Sequence, residues 1–260
     1  MSDMPGQDHL STHDVTNQPA PRGDLDLWAE DPALGDHAVA AGADSARLGD
    51  FGALIGSAEM RAMGRDANRP PPELMLFDAG GRRLDELRFH PAYHRLMQTG
   101  LGAGYAAIPW EGAKGGHATH AAMVYLMSQV EPGVCCPMTM TYAAVPALKA
   151  DKALLAEWVP KLTARLYDPA ARPLRAKGAA TMGMAMTEKQ GGSDVRANST
   201  RAYPIDADAG HYRLVGHKWF CSAPMSDGFL TLAYTDAGLS CFLVPRITPE
   251  GRRNGIHVMR

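Results

Sequence analysis

Near residue 170 the chain changes texture, and that change limits its architecture more than any other feature of the sequence. Before it, apolar residues recur every three or four positions. After it, short alternating or apolar segments are separated by Gly, Asp and Ser. A block of helices followed by a block of strands predicts segregated α and β parts and argues against alternating βαβ units. The Pro- and Arg-rich "DPAARPLRAKG" at 168–178 is the connector. On this reading residues 1–35 are a disordered or surface-draped arm, 36–178 a helical domain and 179–260 a β domain.

In the first part Leu48, Phe51, Leu54, Ile55, Met60 and Met63 fall at helical spacing from Ser45 to Arg65, and "RPPP" at 69–72 ends the run. "ELMLFDAGGRRLDELRF" makes two short segments about Gly80–Gly81, as a hairpin or a helix–turn. His90–Gln98 reads as a helix. "HATHAAMVYLMSQV" and "PMTMTYAAVPALKA" read as core helices broken near Pro132–Gly133, and "DKALLAEWVPKLTARLY" as another, kinked or divided at Pro160. In the second part "AATMGMAMT", "VRANSTRAY", "YRLVGHKWFCS", "FLTLAYT" and "LSCFLVP" read as strands.

Composition narrows the function. A formal charge of −2 gives no field to draw in DNA or an anionic membrane. No apolar run approaches the ~20 residues of a membrane helix, and the first residues lack a secretory pattern. Cys135, Cys136, Cys221 and Cys241 form no C-x-x-C pair, so they read as buried free thiols of a reducing cytosol. No G-x-G-x-x-G follows a strand, and P-loop and H-E-x-x-H patterns are absent. His117 and His120 share a helix face without a carboxylate at ligand spacing, and read as satisfied side chains, with no metal site.

Two segments carry chemistry. In "MAMTEKQGGSDV" (184–195), Met184 and Met186 alternate as strand residues, and Thr187 ends the strand with a hydroxyl. The turn Gln190–Ser193 then presents successive N–H groups with little bulk, suited to a phosphate oxygen. Asp194 braces the turn. In "GHKWFCSAPMSD" (216–227), strand alternation puts Phe220 and Ser222 on one face and Trp219 and Cys221 on the other. An aromatic ring with a hydroxyl two residues along suits a flat heteroaromatic ligand. Taken alone, the first segment is a turn and the second a sandwich strand with an aromatic core residue. Together they describe a ring clamp beside a phosphate holder.

The Met-Thr-Glu start and Gly-Ser-Asp end of 186–194, with Lys-x-aromatic-x-Ser at 218–222, resemble the flavin signature of acyl-CoA dehydrogenases. "GMAMTEKQGGSDV", "RLVGHKWFCS", "GLSCFLVPR", "RRLDELRFHPAYH" and "CPMTMTYAA" are similar to the AidB branch of alkylation-response flavoproteins. The resemblance implies an α+β fold, an N-terminal helical domain followed by an antiparallel β-barrel or sandwich middle domain that carries FAD. It implies that Met186 and Thr187 border the isoalloxazine ring, Thr187 at its pyrimidine end, while Ser193 and Gly192 meet the pyrophosphate. Phe220 lies against the ring, where the wider family usually has tryptophan, and Ser222 donates to flavin N5. The cofactor-binding candidates are therefore Met184, Met186, Thr187, Gly192, Ser193, Phe220, Cys221 and Ser222, with Cys221 turned towards packing.

Family members continue into a C-terminal helical bundle that supplies the catalytic glutamate, part of the adenine site and the tetramer core. The sequence is expected to stop before that bundle, as a fragment with no general base of its own. Glu188 reads as a solvated side chain or as loop bracing. The implied reaction is α,β-dehydrogenation of an acyl-CoA, with hydride passing to flavin N5, in a cytoplasmic homotetramer. The alternatives are a DNA-associated alkylation-response protein, contacting DNA only through the bundle, and a non-catalytic remnant.

Overall fold

The structure, a computed structural model, describes residues 16–19 and 22–259. Residues 1–15, 20 and 21 of the expected arm lie outside the described residues. From residue 22 the chain forms a strap whose Leu25 and Leu27 N–H groups bond to the carbonyls of Gly56 and Gly52 at 3.1 and 3.4 Å. Leu27 and Trp28 pack onto the helical core.

Each early helix starts on a side-chain cap. In α1 (Pro32–Ala40) Asp31 accepts from Leu34 N, and in α2 (Ser45–Gly56) Asp44 accepts from Arg47 N. The periodic run from Ser45 is two helices, not one. Ser57 leaves helical geometry at ψ 151° and caps α3 (Ala58–Asn68) through Met60 N. Leu54, counted among the periodic residues, is 49% exposed.

The undecided segment is a hairpin, β1 (Glu73–Phe77) with β2 (Arg83–Arg88). Its turn is set by Asp78, whose Oδ1 accepts from Gly80 N at 2.8 Å and Arg82 N at 2.9 Å. On β2, Asp85 is buried at a φ of 47°. Its carboxylate takes Arg83 Nε at 2.7 Å, Arg253 Nη2 at 3.3 Å and the Val258 N–H at 3.3 Å. The hairpin is thereby tied to residues 253–258.

Helices α4 (Pro91–Gly102), α5 (Gly116–Ser128), α6 (Pro132–Leu148) and α7 (Lys152–Leu162) complete the helical part. Pro132 opens α6 at its first turn behind a Glu131 cap, while Pro160 sits in the last turn of α7 without ending it. Leu48, Phe51, Leu96, Met123 and Met138 belong to one buried cluster. A second cluster joins Ala144, Leu148, Trp158 and Leu162 of α6 and α7 to Met182 and Leu230 of the sheet. Thr141 of α6 also accepts the Met182 N–H at 3.0 Å.

The five-stranded sheet contains β3 (Met182–Ala185), β4 (Arg201–Asp206), β5 (His211–Val215), β6 (Gly228–Thr235) and β7 (Gly238–Pro245). The α+β architecture, helices then strands, is as expected. The expected antiparallel pairing needs correction, because the sheet is mixed. β4–β5 and β6–β7 are antiparallel, but β3 and β4 both run parallel to β6. Since β7 fills one edge of β6 along its whole length, β3 and β4 share the other edge. They run one after the other in the same direction, and residues 186–200 are an excursion between them.

A second correction concerns "YRLVGHKWFCS". The strand stops at Val215, and residues 216–227 leave the sheet. Gly216 is pressed against Thr200, where a side chain has no room. Strand alternation therefore does not orient residues 219–222. A third concerns the thiols: all four are free, yet only Cys135 is buried and Cys241 is exposed.

Candidate functional site

The excursion at 186–200 is closed at its neck by one carboxylate. Glu188, at the start of the loop, is 1% exposed and accepts six hydrogen bonds. Ser199 supplies its N–H at 2.6 Å and its hydroxyl at 2.8 Å, and Thr200 supplies its N–H at 2.9 Å and its hydroxyl. Gln190 Nε2 donates at 2.6 Å and Lys218 Nζ at 3.1 Å. Burial alone raises a carboxyl pKa, but the donors from Ser199 and Thr200 outweigh it and hold Glu188 well below the usual carboxylate range. Glu188 is thus a fixed anion, unsuited to taking up a proton.

The same carboxylate brings in the second segment through Lys218. Two further bonds join the segments: Trp219 N–H donates to Thr187 O at 2.9 Å, and Lys189 N–H donates to His217 Nε2 at 3.1 Å. Lys189 Nζ lies 5.3 Å from the centroid of the Trp219 ring. The two stretches that sequence reasoning paired are therefore neighbours.

At the loop tip Gly192 lies against the Thr187 side chain. A Cβ on Gly192 would sit 2.9 Å from Thr187 Cγ2 and 3.1 Å from Oγ1, closer than van der Waals contact allows. Gly192 and Ser193 are exposed, and their N–H groups have no protein acceptor among the described residues. Asp194 does brace the turn, capping residues 195–197 through Arg196 N at 3.1 Å.

Phe220 is 79% exposed at a φ of +58°, a left-handed conformation that bulky residues rarely hold. Ser222 is exposed beside it in sequence, and Cys221 is half-buried with its thiol pKa pushed up by burial. Met184 and Met186 are partly buried against the second core cluster, and Met186 O accepts from Asn198 Nδ2 at 2.8 Å. Geometry thus joins Thr187, Gly192 and the 217–219 backbone, and leaves Phe220, Ser222 and Ser193 facing outward. The tip is free of side-chain bulk, its N–H groups are open and an aromatic ring is held out at a backbone cost. These features fit a ring-and-pyrophosphate cofactor.

Sequence reasoning missed the partners of Glu188, namely Ser199, Thr200 and Lys218, and the role of His217. A signal existed in the hydroxyl pair Ser199–Thr200 directly before a strand, but its carboxylate partner lay eleven and twelve residues back. His120 is buried with a ring nitrogen 2.7 Å from Tyr105 O, and His117 meets Tyr142 OH at 2.8 Å. Among the described residues no group of three or more His, Cys, Asp or Glu is placed to hold a metal ion, and no helix is long and apolar enough to cross a membrane.

Residues 17–169 match the family described as adaptive response protein AidB N-terminal domain, and residues 183–260 match the acyl-CoA dehydrogenase middle domain. The chain is 46% identical over 257 residues to putative acyl-CoA dehydrogenase AidB of Escherichia coli (strain K12), covering 97% of this chain and 47% of that protein. It is 35% identical over 234 residues to acyl-CoA dehydrogenase family member 11 of Caenorhabditis elegans, covering 83% of this chain and 36% of that one. The crystal structure of Caenorhabditis elegans ACDH-11 in complex with C11-CoA superposes with a TM-score of 0.79 at 32% identity, over 96% of this chain and 44% of that chain. The chain therefore spans about half the length, or less, of these relatives.

Proposed function

This chain belongs to the AidB-like branch of the acyl-CoA dehydrogenase family, and from that premise we propose that its 186–222 face binds FAD in an enzyme that dehydrogenates an acyl-CoA thioester. The observation that carries the reading is the joining of the two segments by the Trp219–Thr187 bond and the Glu188–Lys218 pair. We assign the helical part to residues 36–178 and the flavin-bearing β part to 179–260.

FAD supplies the hydride acceptor. The chain's own residues orient it. Thr187 and the Met186 backbone would border the ring, the open N–H groups of Gly192 and Ser193 together with the Ser193 hydroxyl would take the pyrophosphate, and Lys189 would add positive charge at the loop tip. Phe220 offers its exposed face to the ring, and Ser222 offers a hydroxyl to its N5 edge. Met184 and Cys221 support these groups from the packed side. A hydroxyl donor aimed where charge develops stabilises the reduced ring electrostatically. The proton at Cα needs a base, and Glu188 is not that base, because its lone pairs are committed and its proton affinity is low. The acyl-CoA ligand is suggested by the C11-CoA in the related nematode structure. Cytoplasmic location, tetramer assembly and any alkylation-response or DNA role are proposed for the whole protein from kinship alone.

Titrating the purified chain with FAD, and following flavin fluorescence, tests this. Saturable quenching is expected, weakened about tenfold by Ser193→Ala, the worth of one charge-assisted hydrogen bond. No binding at saturating FAD, or binding indifferent to both Ser193→Ala and Gly192→Val, overturns the assignment.

A further inference from the structure

A cavity of about 330 Å³ lies in the seam between the helical and β parts, at the end of β3 away from the flavin-facing loop. Thr181 lines it, and Thr187 stands six residues further on, roughly 20 Å at the rise of an extended strand. It is separate from the site described above. Its walls come from α4, β2, the connector after Tyr167 and the segment running into β6.

Most of the charges around this cavity are paired directly. Asp227 is engaged: Oδ1 takes Lys177 Nζ at 2.9 Å and Oδ2 takes the Thr181 N–H at 2.9 Å. Asp168 is engaged by Arg172 at 2.9 Å and by Gly178 N–H at 3.2 Å. Asp85 is engaged by Arg83 and Arg253. The remaining cation, Arg246, feels Asp227 and Glu86 only from beyond ion-pair distance. Arg246 is 9% exposed and lines the cavity, yet its guanidinium makes a single hydrogen bond, Nη1 to Met225 O at 2.8 Å. Among the described residues no carboxylate comes within 4.0 Å of it. A buried guanidinium short of acceptors is costly, and buried charges are as a rule paired.

We propose that this cavity binds a small organic carboxylate, with Arg246 gripping the carboxylate and an apolar wall covering the rest of the ligand. A carboxylate matches the guanidinium fork through two parallel N–H bonds. Tyr167 OH and His94, 3.0 Å apart through Nδ1, add polar groups to the lining. Met97, Leu87 and Met225 add apolar side chains to the lining, which suits a hydrocarbon body and not a bare inorganic anion. The volume is at the lower end of small-molecule sites. Glu86 is also on the lining, exposed and without an ion-pair partner, and it is the competing anion. Its removal should favour the ligand.

The test uses hexanoate as probe, with hexanamide and inorganic phosphate as controls, on the whole chain carrying methionine methyl labels. Saturable hexanoate-dependent shifts at Met97 and Met225 are expected, and Glu86→Gln should tighten them about twofold or more as a like charge leaves the rim. Arg246→Lys keeps the charge and the aliphatic stem but loses the fork, and should weaken hexanoate about tenfold. Any of three results overturns the proposal: no hexanoate shift in either the wild type or Glu86→Gln, an equal response to hexanamide, or unchanged affinity in Arg246→Lys. Phosphate displacing hexanoate at lower concentration overturns the carboxylate assignment. Absence of FAD binding leaves these outcomes unaffected, so the two readings fail separately.

Discussion

Strand β3 is four residues long, and a buried carboxylate stands close to each end, Asp227 beside Thr181 and Glu188 just beyond Thr187. Both side chains are largely out of solvent, 12% and 0% exposed. Burial raises the pKa of Asp227 despite Lys177, whereas Glu188 is held well below its ordinary value because the Ser199 and Thr200 donors outweigh its burial. Asp227 lies deeper among protein atoms and has fewer donors, and the two differences act in the same direction. The better-satisfied anion is the one that closes the 186–200 loop.

The strongest way to break that contrast is Glu188→Ala. It strands Lys218 and the buried Thr200 donors, and should cost about 3–5 kcal/mol in urea unfolding, the range for removing one partner of a buried pair. It should also abolish FAD binding, since the neck of the loop opens. Lys177→Met attacks the other end. Asp227 keeps the Thr181 N–H as a donor after this change, so the loss should be smaller, about 2 kcal/mol.

Acid sharpens the comparison, because the two groups have opposite signs. The folded pKa of Glu188 lies below its ordinary 4.5. Its stabilisation is therefore complete above that value and is lost as pH falls through the folded pKa. The folded pKa of Asp227 lies above its ordinary 3.8. Its contribution is complete below that value and is lost as pH rises through the folded pKa. Melting temperatures of Glu188→Gln should consequently fall less steeply than those of the wild type between about pH 5 and 3. An unchanged slope removes Glu188 as the acid-sensitive end.

The smallest effect is expected at Phe220. Glycine there relieves left-handed strain of about 1–2 kcal/mol but gives back about 0.5–1 kcal/mol of chain entropy. Because the ring is exposed, the net change in thermal stability should stay within about 1 kcal/mol, while FAD affinity falls clearly. A large stability loss means that the ring is packed and is not waiting for a ligand.

Much of the helical half was legible because apolar spacing is a local signal; the capping aspartates Asp31, Asp44 and Asp151, each directly before its helix, went unread. The same local rules misled at Ser57, where an unbroken apolar rhythm passes through a capping residue, and at Gly216, where alternation continues in sequence after the backbone has left the sheet. What makes Gly216 a departure point is its contact with Thr200, sixteen residues away. The parallel pairing of β3 and β4 with β6 was equally invisible, since it depends on partners up to 46 residues distant. At the candidate site the loop and aromatic segment could be paired, whereas the Glu188 anchor depends on a convergence of three stretches that no single window contains.

The Asp85 cluster has a consequence for how the chain is made. Val258 N–H and Asp85 Oδ1 are 173 positions apart. The hairpin emerges from the ribosome early, carrying a carboxylate in an unfavourable backbone pose with Arg83 as its nearby counter-ion. Arg253 and Val258 reach it only after the whole helical bundle and most of the sheet have been translated. At about 5–20 residues per second, that interval is roughly 10–35 s. The helical core must hold its shape through that wait, and closure at Asp85 is a late, long-range step.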